Sequence, residues 1–372
     1  MEEQRAKRLE QLLGEYERLG IGLQVNFSKL HLYSIITHST AIEGSTVTLE
    51  ENTVMFDDGL APAGKPVVEQ LMNLDLKQAY EVAEEVAAAR TKLTLPLLKA
   101  FSSLVMRNTG ALYRTPHGEY DEAKGDLRLQ NVSAGRGGRS YLAWEKVEQR
   151  TSDYVSWLNE RLATMDAMTP PEVYDLSFEA HFRLVTIHPW SDGNGRVARL
   201  MMNLVQMEGG VPPTIVRSDH KVRYIDALRE AQEAGASSPF LTFMTDELLD
   251  ALSQTIEEYT NDLARDVPWL DTDGISLASV AAPQVTPQVT PQVTPQVTPQ
   301  VRRLLSVLRG KELSAGEIRN LLGLSDAKSF RQLYLRKAID AGLVEMTISN
   351  KPQSKNQRYR LTRLGMQVSS AM

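Results

Sequence analysis

The stretch HPWSDGNGR, residues 188–196, gathers in nine positions most of the side-chain types needed to handle a polyphosphate. Gly193 and Gly195 flank Asn194 and let the backbone turn its N–H groups inward, which makes an anion-binding nest. A helix that begins near Gly195 adds the positive end of its dipole to that nest. Asp192 supplies a hard oxygen suited to Mg2+, an ion usually held by one or two carboxylates together with phosphate oxygens. Arg196 and Arg199 stand three apart, so they share a helix face, and guanidinium forks suit phosphate oxygens. His188 titrates near neutrality and can take a proton from an incoming hydroxyl. Asn203, four residues beyond Arg199, continues the same face toward a bound nucleotide, and Tyr224 follows it as a candidate. DGNG alone is an ordinary turn; the joint occurrence of a histidine, an acid, two glycines and two arginines at fixed offsets is much rarer. His181 and His188 are seven apart, but no further ligand of matching spacing completes a metal site.

These side chains need elements to hold them, and ahead of residue 283 the elements read as helices. Leu9, Leu12, Leu13, Tyr16 and Leu19 keep helical spacing; so do Leu71, Leu74, Ala79, Val82, Val86 and Ala87, and again Val155, Leu158, Leu162 and Met165. A helix from about Leu176 to Ile187 stops at Pro189, and a second runs from near Gly195 to Gly209-Gly210. The exception is 126–141, DLRLQNVSAGRGGRSY, where short alternation around a Gly-rich turn predicts a small hairpin. The fold class expected is mainly α.

A chain of 372 residues suggests roughly two to three domains at about 100 to 200 residues each. With 42% apolar and 24% charged residues it is neither fibrous nor wholly disordered. Zero cysteines exclude disulfides, thiolate metal sites and a cysteine nucleophile. The N-terminus is charged throughout and no apolar run reaches the ~20 residues needed to span a bilayer, so a cytoplasmic protein without membrane contact is expected. The net charge of -6 hides an asymmetry: residues 301–372 carry 14 Lys and Arg against 5 Asp and Glu, a balance of +9, and the remainder carries 27 against 42, a balance of -15. Between the two lies PQVTPQVTPQVTPQVTPQV, with proline at every fourth position, which denies helix and suits a semi-rigid spacer. The expected organisation is an N-terminal helical region 1–110, a core 111–270, a linker 271–301 and a C-terminal domain 302–372.

The motif around His188 resembles the signature H-x-F-x-D/E-G-N-G-R-x-x-R of the Fic (filamentation induced by cAMP) family. His188, Asp192, Gly193, Asn194, Gly195, Arg196 and Arg199 fall on it, and Trp190 stands where the family usually has Phe. The resemblance implies a helical Fic fold with a hairpin flap and a Mg-dependent protein adenylyltransferase that moves AMP from ATP to a Ser, Thr or Tyr hydroxyl of a protein. It implies that His188 is the base, that Asp192 holds Mg2+, that Gly193, Asn194 and Gly195 cradle the phosphates with Arg196, and that Arg199 receives the gamma-phosphate. Upstream, STAIEG at 39–44 is similar to the family's inhibitory motif, with Ser39, Glu43 and Gly44 on the matching positions. The resemblance implies that Glu43 pairs with Arg199, because a carboxylate and a triphosphate compete for one cation. The hairpin 126–141 resembles the flap that pairs with the target's backbone. Two other readings stay open: a DNA-binding regulator whose helical body senses a nucleotide, and an enzyme that removes AMP, with Glu43 orienting a water.

After the linker, 302–310, 314–322 and 326–341 read as three helices, and LVEMTI and QRYRLT as strands around a polar loop. This order resembles a winged helix domain. If it binds DNA, Lys328, Arg331, Arg336 and Lys337 on the third helix meet the duplex, and Lys351 and Lys355 in the wing meet phosphates. Winged helices also serve in docking and dimerisation, so DNA and a second copy of the chain, as a homodimer, are both candidate partners.

Overall fold

Helical spacing of apolar residues becomes helix wherever the first 266 residues showed it. A computed structural model of the chain describes residues 1–23, 25–134 and 140–266, and beyond these 304–305, 307–309, 311–322, 334–335, 337–340, 343–347, 357–362 and 366. The chain divides into two units, Met1–Pro283 and Gln284–Met372. In the first, α1 (Glu3–Arg18), α2 (Val25–Ile42), α3 (Leu49–Asp58), α4 (Val67–Ala88) and α5 (Leu95–Val105) precede a hairpin of β1 (Leu112–Thr115) and β2 (Gly118–Asp121). Then come α6 (Val147–Leu162), α7 (Pro170–Ile187), α8 (Asn194–Glu208), α9 (Lys221–Ala234) and α10 (Ser238–Asp266).

The helix α8 is the centre of this unit. Val197, Ala198, Leu200, Met201, Met202, Leu204 and Val205 are all buried, as expected of a helix enclosed on every side. It lies against α7 and α4, and one hydrophobic cluster runs through the unit from Leu9 in α1 to Ile256 in α10. Polar residues that α8 takes inside are bonded: Gln206 donates to Ser177 Oγ and Thr214 Oγ1 and accepts from the Thr214 N–H. Start signals are equally local. Thr169 and Glu172 form a capping box ahead of α7, with Pro170 in its first turn, and Thr48 with Glu51 does the same for α3.

The hairpin expected at 126–141 is not a regular one. Ser133 and Ser140 form an isolated bridge, and the Tyr141 N–H donates to the Val132 carbonyl; residues 135–139 lie outside the described residues. The regular hairpin comes earlier, with Leu112 opposite Asp121 and Thr115 opposite Gly118. Four-residue strands of mixed polarity give too short an alternation to read, and the clearest mark of this turn is Gly118 at φ 129.

The second unit has its own core of Leu304, Leu305, Leu308, Ile318, Leu335, Leu343 and their neighbours. Ser314 and Glu317 exchange capping-box bonds ahead of helix Ala315–Leu321. Lys337–Asp340 is helical, and β3 (Val344–Met346) pairs antiparallel with β4 (Tyr359–Leu361), Glu345 opposite Arg360. Leu313 bridges to Tyr359 and so adds a third short strand segment. The proline repeat, Lys328, Arg331, Arg336, Lys351 and Lys355 lie outside the described residues, as does the side chain of Lys337.

Candidate active site

The helix α7 ends on His188 itself, whose φ of 54 is left-handed, a conformation that L residues other than glycine seldom adopt. Its N–H still donates to Leu184, and Pro189 prevents any further turn of helix. The loop that follows is braced from inside. Trp190 is fully buried and its indole Nε1 donates to the Gly125 carbonyl at 3.1 Å. The Asn194 side chain accepts from the Trp190 N–H at 3.0 Å and donates to the Trp190 carbonyl at 2.8 Å. The amide of Asn194 is therefore spent on the loop, and only its backbone remains for a ligand. Arg128, which the sequence reading passed over, completes the brace. Its Nε donates to the His188 carbonyl at 2.8 Å, Nη1 to Gln130 at 2.8 Å and Nη2 to Leu142, while its own N–H donates to Pro189. A lone arginine between Leu127 and Leu129 was the signal available in the sequence.

The N-terminus of α8 is left open to an anion. Val197 donates to the Gly193 carbonyl, so the N–H groups of Asn194, Gly195 and Arg196 precede the first intrahelical donor. Gly193 sits at φ 80, and a Cβ there would stand 2.7 Å from Met106 Sδ. Arg196 is buried, and among the described residues its Nε and Nη1 have no hydrogen-bond partner; Nη2 meets Met106 Sδ at 3.1 Å and Asp192 Oδ2 at 3.6 Å. Burial pushes the Arg196 pKa down, the electrostatic counterpart of a cation waiting for an anion. Asp192 accepts from the Gly193 N–H through Oδ1, and its side chain is 65% exposed. Among the described residues no three His, Asp or Glu side chains converge to hold a metal ion. One exposed carboxylate fits Mg2+ only where phosphate oxygens supply the rest of the shell, which is how Mg2+ accompanies a nucleotide.

Arg199, one turn along, is bonded at every nitrogen. Its side chain is 3% exposed; Nη2 donates to Glu43 Oε1 at 2.6 Å and to the Ser39 carbonyl at 2.9 Å, Nε to Ser39 Oγ at 2.8 Å, and Nη1 to Tyr224 Oη at 3.3 Å. Burial raises the Glu43 pKa, but the guanidinium of Arg199 outweighs it and holds the carboxyl below the ordinary range. Gly195 makes room for this pair, since a Cβ there would lie 2.5 Å from Glu43 Oε1. Gly44 at φ 108 turns the chain away after Glu43. Behind the motif a buried polar network fixes the exit of α2: Thr40 Oγ1 and Asn52 Nδ2 donate to Asn73 Oδ1 at 2.8 and 2.9 Å, and Asn73 Nδ2 donates to Ser45 Oγ at 3.0 Å. Those asparagines carried no sequence signal, being polar residues in amphipathic helices.

His188, Gly195, Arg199 and Glu43 share one cavity of about 760 Å³, which Tyr141 and Tyr224 also line. Tyr141 stacks on His188 with ring centroids 3.7 Å apart. Burial drives the His188 pKa down to about 4, against the upward pull of the Val185 carbonyl, so the imidazole is neutral at physiological pH. Asn203 does not reach this cavity. It is fully buried and donates to Tyr80 at 3.3 Å, because four residues past Arg199 the helix has already passed beneath α4.

Residues 92–206 match the Fic/DOC family, and residues 299–362 match the C-terminal domain of filamentation induced by cAMP Fic-like proteins. The chain is 30% identical over 246 residues to the protein adenylyltransferase Fic of Aedes aegypti, covering 64% of this chain and 44% of that protein. It is 31% identical over 210 residues to the protein adenylyltransferase fic-1 of Caenorhabditis briggsae, covering 56% and 38%. The chain thus spans less than half the length of these curated relatives. The fold is shared with a Fic family protein from Desulfovibrio desulfuricans G20, at TM-score 0.54, 24% identity and coverage of 97% and 95%. It is shared also with a Fic domain containing signalling protein from Bacteroides thetaiotaomicron, at TM-score 0.58, 20% identity and coverage of 68% and 97%. The matched region contains the His188 loop and all but the last two residues of the α8 helix, so the Fic/DOC match falls on the part of the chain that holds the candidate site.

Proposed function

We propose that this chain transfers AMP from ATP to a Ser, Thr or Tyr hydroxyl of another protein, and that Glu43 restrains it. One observation carries the reading: a neutral imidazole, the open end of α8 and a cation already occupied by a carboxylate meet at one cavity. In the transfer the target oxygen bonds to the alpha-phosphorus, the bond from that phosphorus to the bridging oxygen breaks, and pyrophosphate leaves. His188 accepts the hydroxyl proton; being neutral, it is in the state a base requires. The free N–H groups of α8 and the unpartnered guanidinium edge of Arg196 hold phosphate oxygens without needing to reorganise. Asp192 would hold Mg2+ together with those oxygens, and the ion would supply charge neutralisation there. Arg199 takes the terminal phosphate once Glu43 leaves it. Ser39 and Gly44 serve the brake, by bonding Arg199 and by turning the chain.

The test uses ATP labelled at the alpha-phosphate with cell lysate as the source of target. Glu43→Gly should raise labelling of other proteins by tenfold or more, each tenfold corresponding to about 1.4 kcal/mol. His188→Ala in that background should abolish it. Equal labelling by the Glu43→Gly protein and the parent would remove the brake, and labelling that survives His188→Ala would remove the base. The C-terminal unit is read as a winged helix, a reading supported by the pairing of β3 with β4 and the Leu313–Tyr359 bridge. Zero cysteines suit a reducing cytoplasm, and among the described residues no helix is long and apolar enough to cross a membrane.

A further inference from the structure

His181 is buried, neutral and outside the chemistry just described, yet it stands behind the cation on which the brake works. It lies on α7, stacked against Phe240 at 4.9 Å between ring centroids, and its Nε2 is 2.9 Å from Tyr224 Oη. Its Nδ1 is buried without a partner among the described residues. A proton on Nδ1 would be a buried N–H with no acceptor, whereas the Tyr224 hydroxyl proton can turn into the cavity that its side chain lines, so the proton belongs on Nε2 and His181 is the donor to Tyr224. Arg199 Nη1 also donates to Tyr224 Oη, at 3.3 Å. A hydroxyl oxygen has two acceptor positions, and these two donors fill them. The hydroxyl proton of Tyr224 is then left without an acceptor among the described residues, on a side chain that lines the cavity beside Arg199.

From this geometry we infer that His181 and Tyr224 form a permanent neutral anchor for Arg199, and that the Tyr224 hydroxyl donates to the terminal phosphate of a nucleoside triphosphate held by the same guanidinium. Tyr224 thereby serves to distinguish triphosphate from diphosphate, and His181 is its positioning residue. The two anchors of Arg199 differ in kind. Glu43 is anionic, so it competes with a phosphate and must leave; Tyr224 is neutral and holds Arg199 in place through the exchange. The ring contacts of Tyr224 with Phe240, at 6.0 Å, and of Arg199 with the Tyr224 face, at 5.9 Å, fix the pair without adding charge.

The inference rests on the nucleotide reading of the site, and binding measurements separate the two. Full-length Glu43→Gly protein is titrated calorimetrically with a non-hydrolysable ATP analogue and with ADP. Tyr224→Phe, which keeps the ring and removes the hydroxyl, should weaken the triphosphate about tenfold and ADP by less than about twofold, since a hydrogen bond to a charged group is lost on one ligand only. His181→Phe, which keeps the stack on Phe240, should move the ratio in the same direction. In transfer assays KM for ATP should rise while kcat stays within about threefold. An unchanged ratio, or an equal loss for both nucleotides, overturns the role of Tyr224 and leaves the nucleotide site standing. Failure of the Glu43→Gly protein to bind either nucleotide overturns the site, and this inference with it.

Discussion

His188 is governed by what covers it. The stack of Tyr141 and the enclosure by α7 and the loop lower its pKa to about 4, so the loss of the proposed base function on the acid side should fall near pH 4 to 5 and not near the ordinary 6.5. Imidazole NMR shifts followed from pH 8 to pH 3 check this, and a midpoint near 6.5 would contradict the buried arrangement. Tyr141→Ala should move that midpoint upward by re-exposing the ring, whereas Tyr141→Phe should leave it in place. Among the described residues the Arg128 side chain has three carbonyl partners and no carboxylate, and burial lowers its pKa. Arg128→Met leaves those carbonyls unsatisfied and should cost about 2–5 kcal/mol in urea denaturation. Trp190 was recognisable in the sequence as the larger residue at an aromatic position. That its Nε1 reaches the Gly125 carbonyl was not, because the partner lies 65 residues away. Trp190→Phe should lose about 1–3 kcal/mol through that bond and the space left behind.

At the scale of elements, the exit of α2 carries Ser39 and Glu43 of the proposed brake, α7 and α8 flank the loop of the proposed chemistry, and the join between them is polar. Asn73 in α4 binds Thr40, Asn52 and Ser45 at once, so it fixes the exit of α2 to two other helices. Asn73→Ala should lower stability by about 2–3 kcal/mol and also raise AMP transfer, because Glu43 loses its fixed distance to Arg199. A variant as stable as the parent in thermal unfolding, with unchanged transfer, would show that this network does not hold the brake. The helices themselves were legible from apolar spacing, since a 3.6-residue period survives in any sequence that buries one face. Within the expected hairpin 126–141 the described residues pair at Ser133 and Ser140, whereas the regular hairpin 112–121 was not read from the sequence. Four-residue strands give no measurable alternation, and the pairing of 112–115 with 118–121 is decided by a turn glycine and by neighbours in space.

For the whole first unit, four histidines are held neutral by burial: His31, His38, His181 and His188 all have pKa values below the ordinary 6.5. Unfolding exposes them and restores the ordinary value, so between pH 6.5 and the depressed folded values the unfolded chain binds more protons. Stability is therefore complete above about 6.5 and falls as pH drops below it. Urea midpoints at pH 7.5 and pH 5 should differ in that order; an unchanged or higher midpoint at pH 5 would show that the acidic groups outweigh these imidazoles. The direction is worth testing on the intact chain, whose acidic body and basic C-terminal portion carry balances of -15 and +9.

By itself the sequence determined the helices, the loop between α7 and α8 and the residue types it offers to a phosphate, because each depends on neighbours within about ten positions along the chain. The tertiary structure decided which of those residues are free. It spent the Asn194 amide on Trp190, buried Asn203 against Tyr80, left Arg196 Nε and Nη1 without partners among the described residues, and gave Arg199 to Glu43, Ser39 and Tyr224. Each of these outcomes is a matter of which hydrogen-bonding groups meet once water is excluded, and spacing along one chain segment carries no information about a partner 156 residues away.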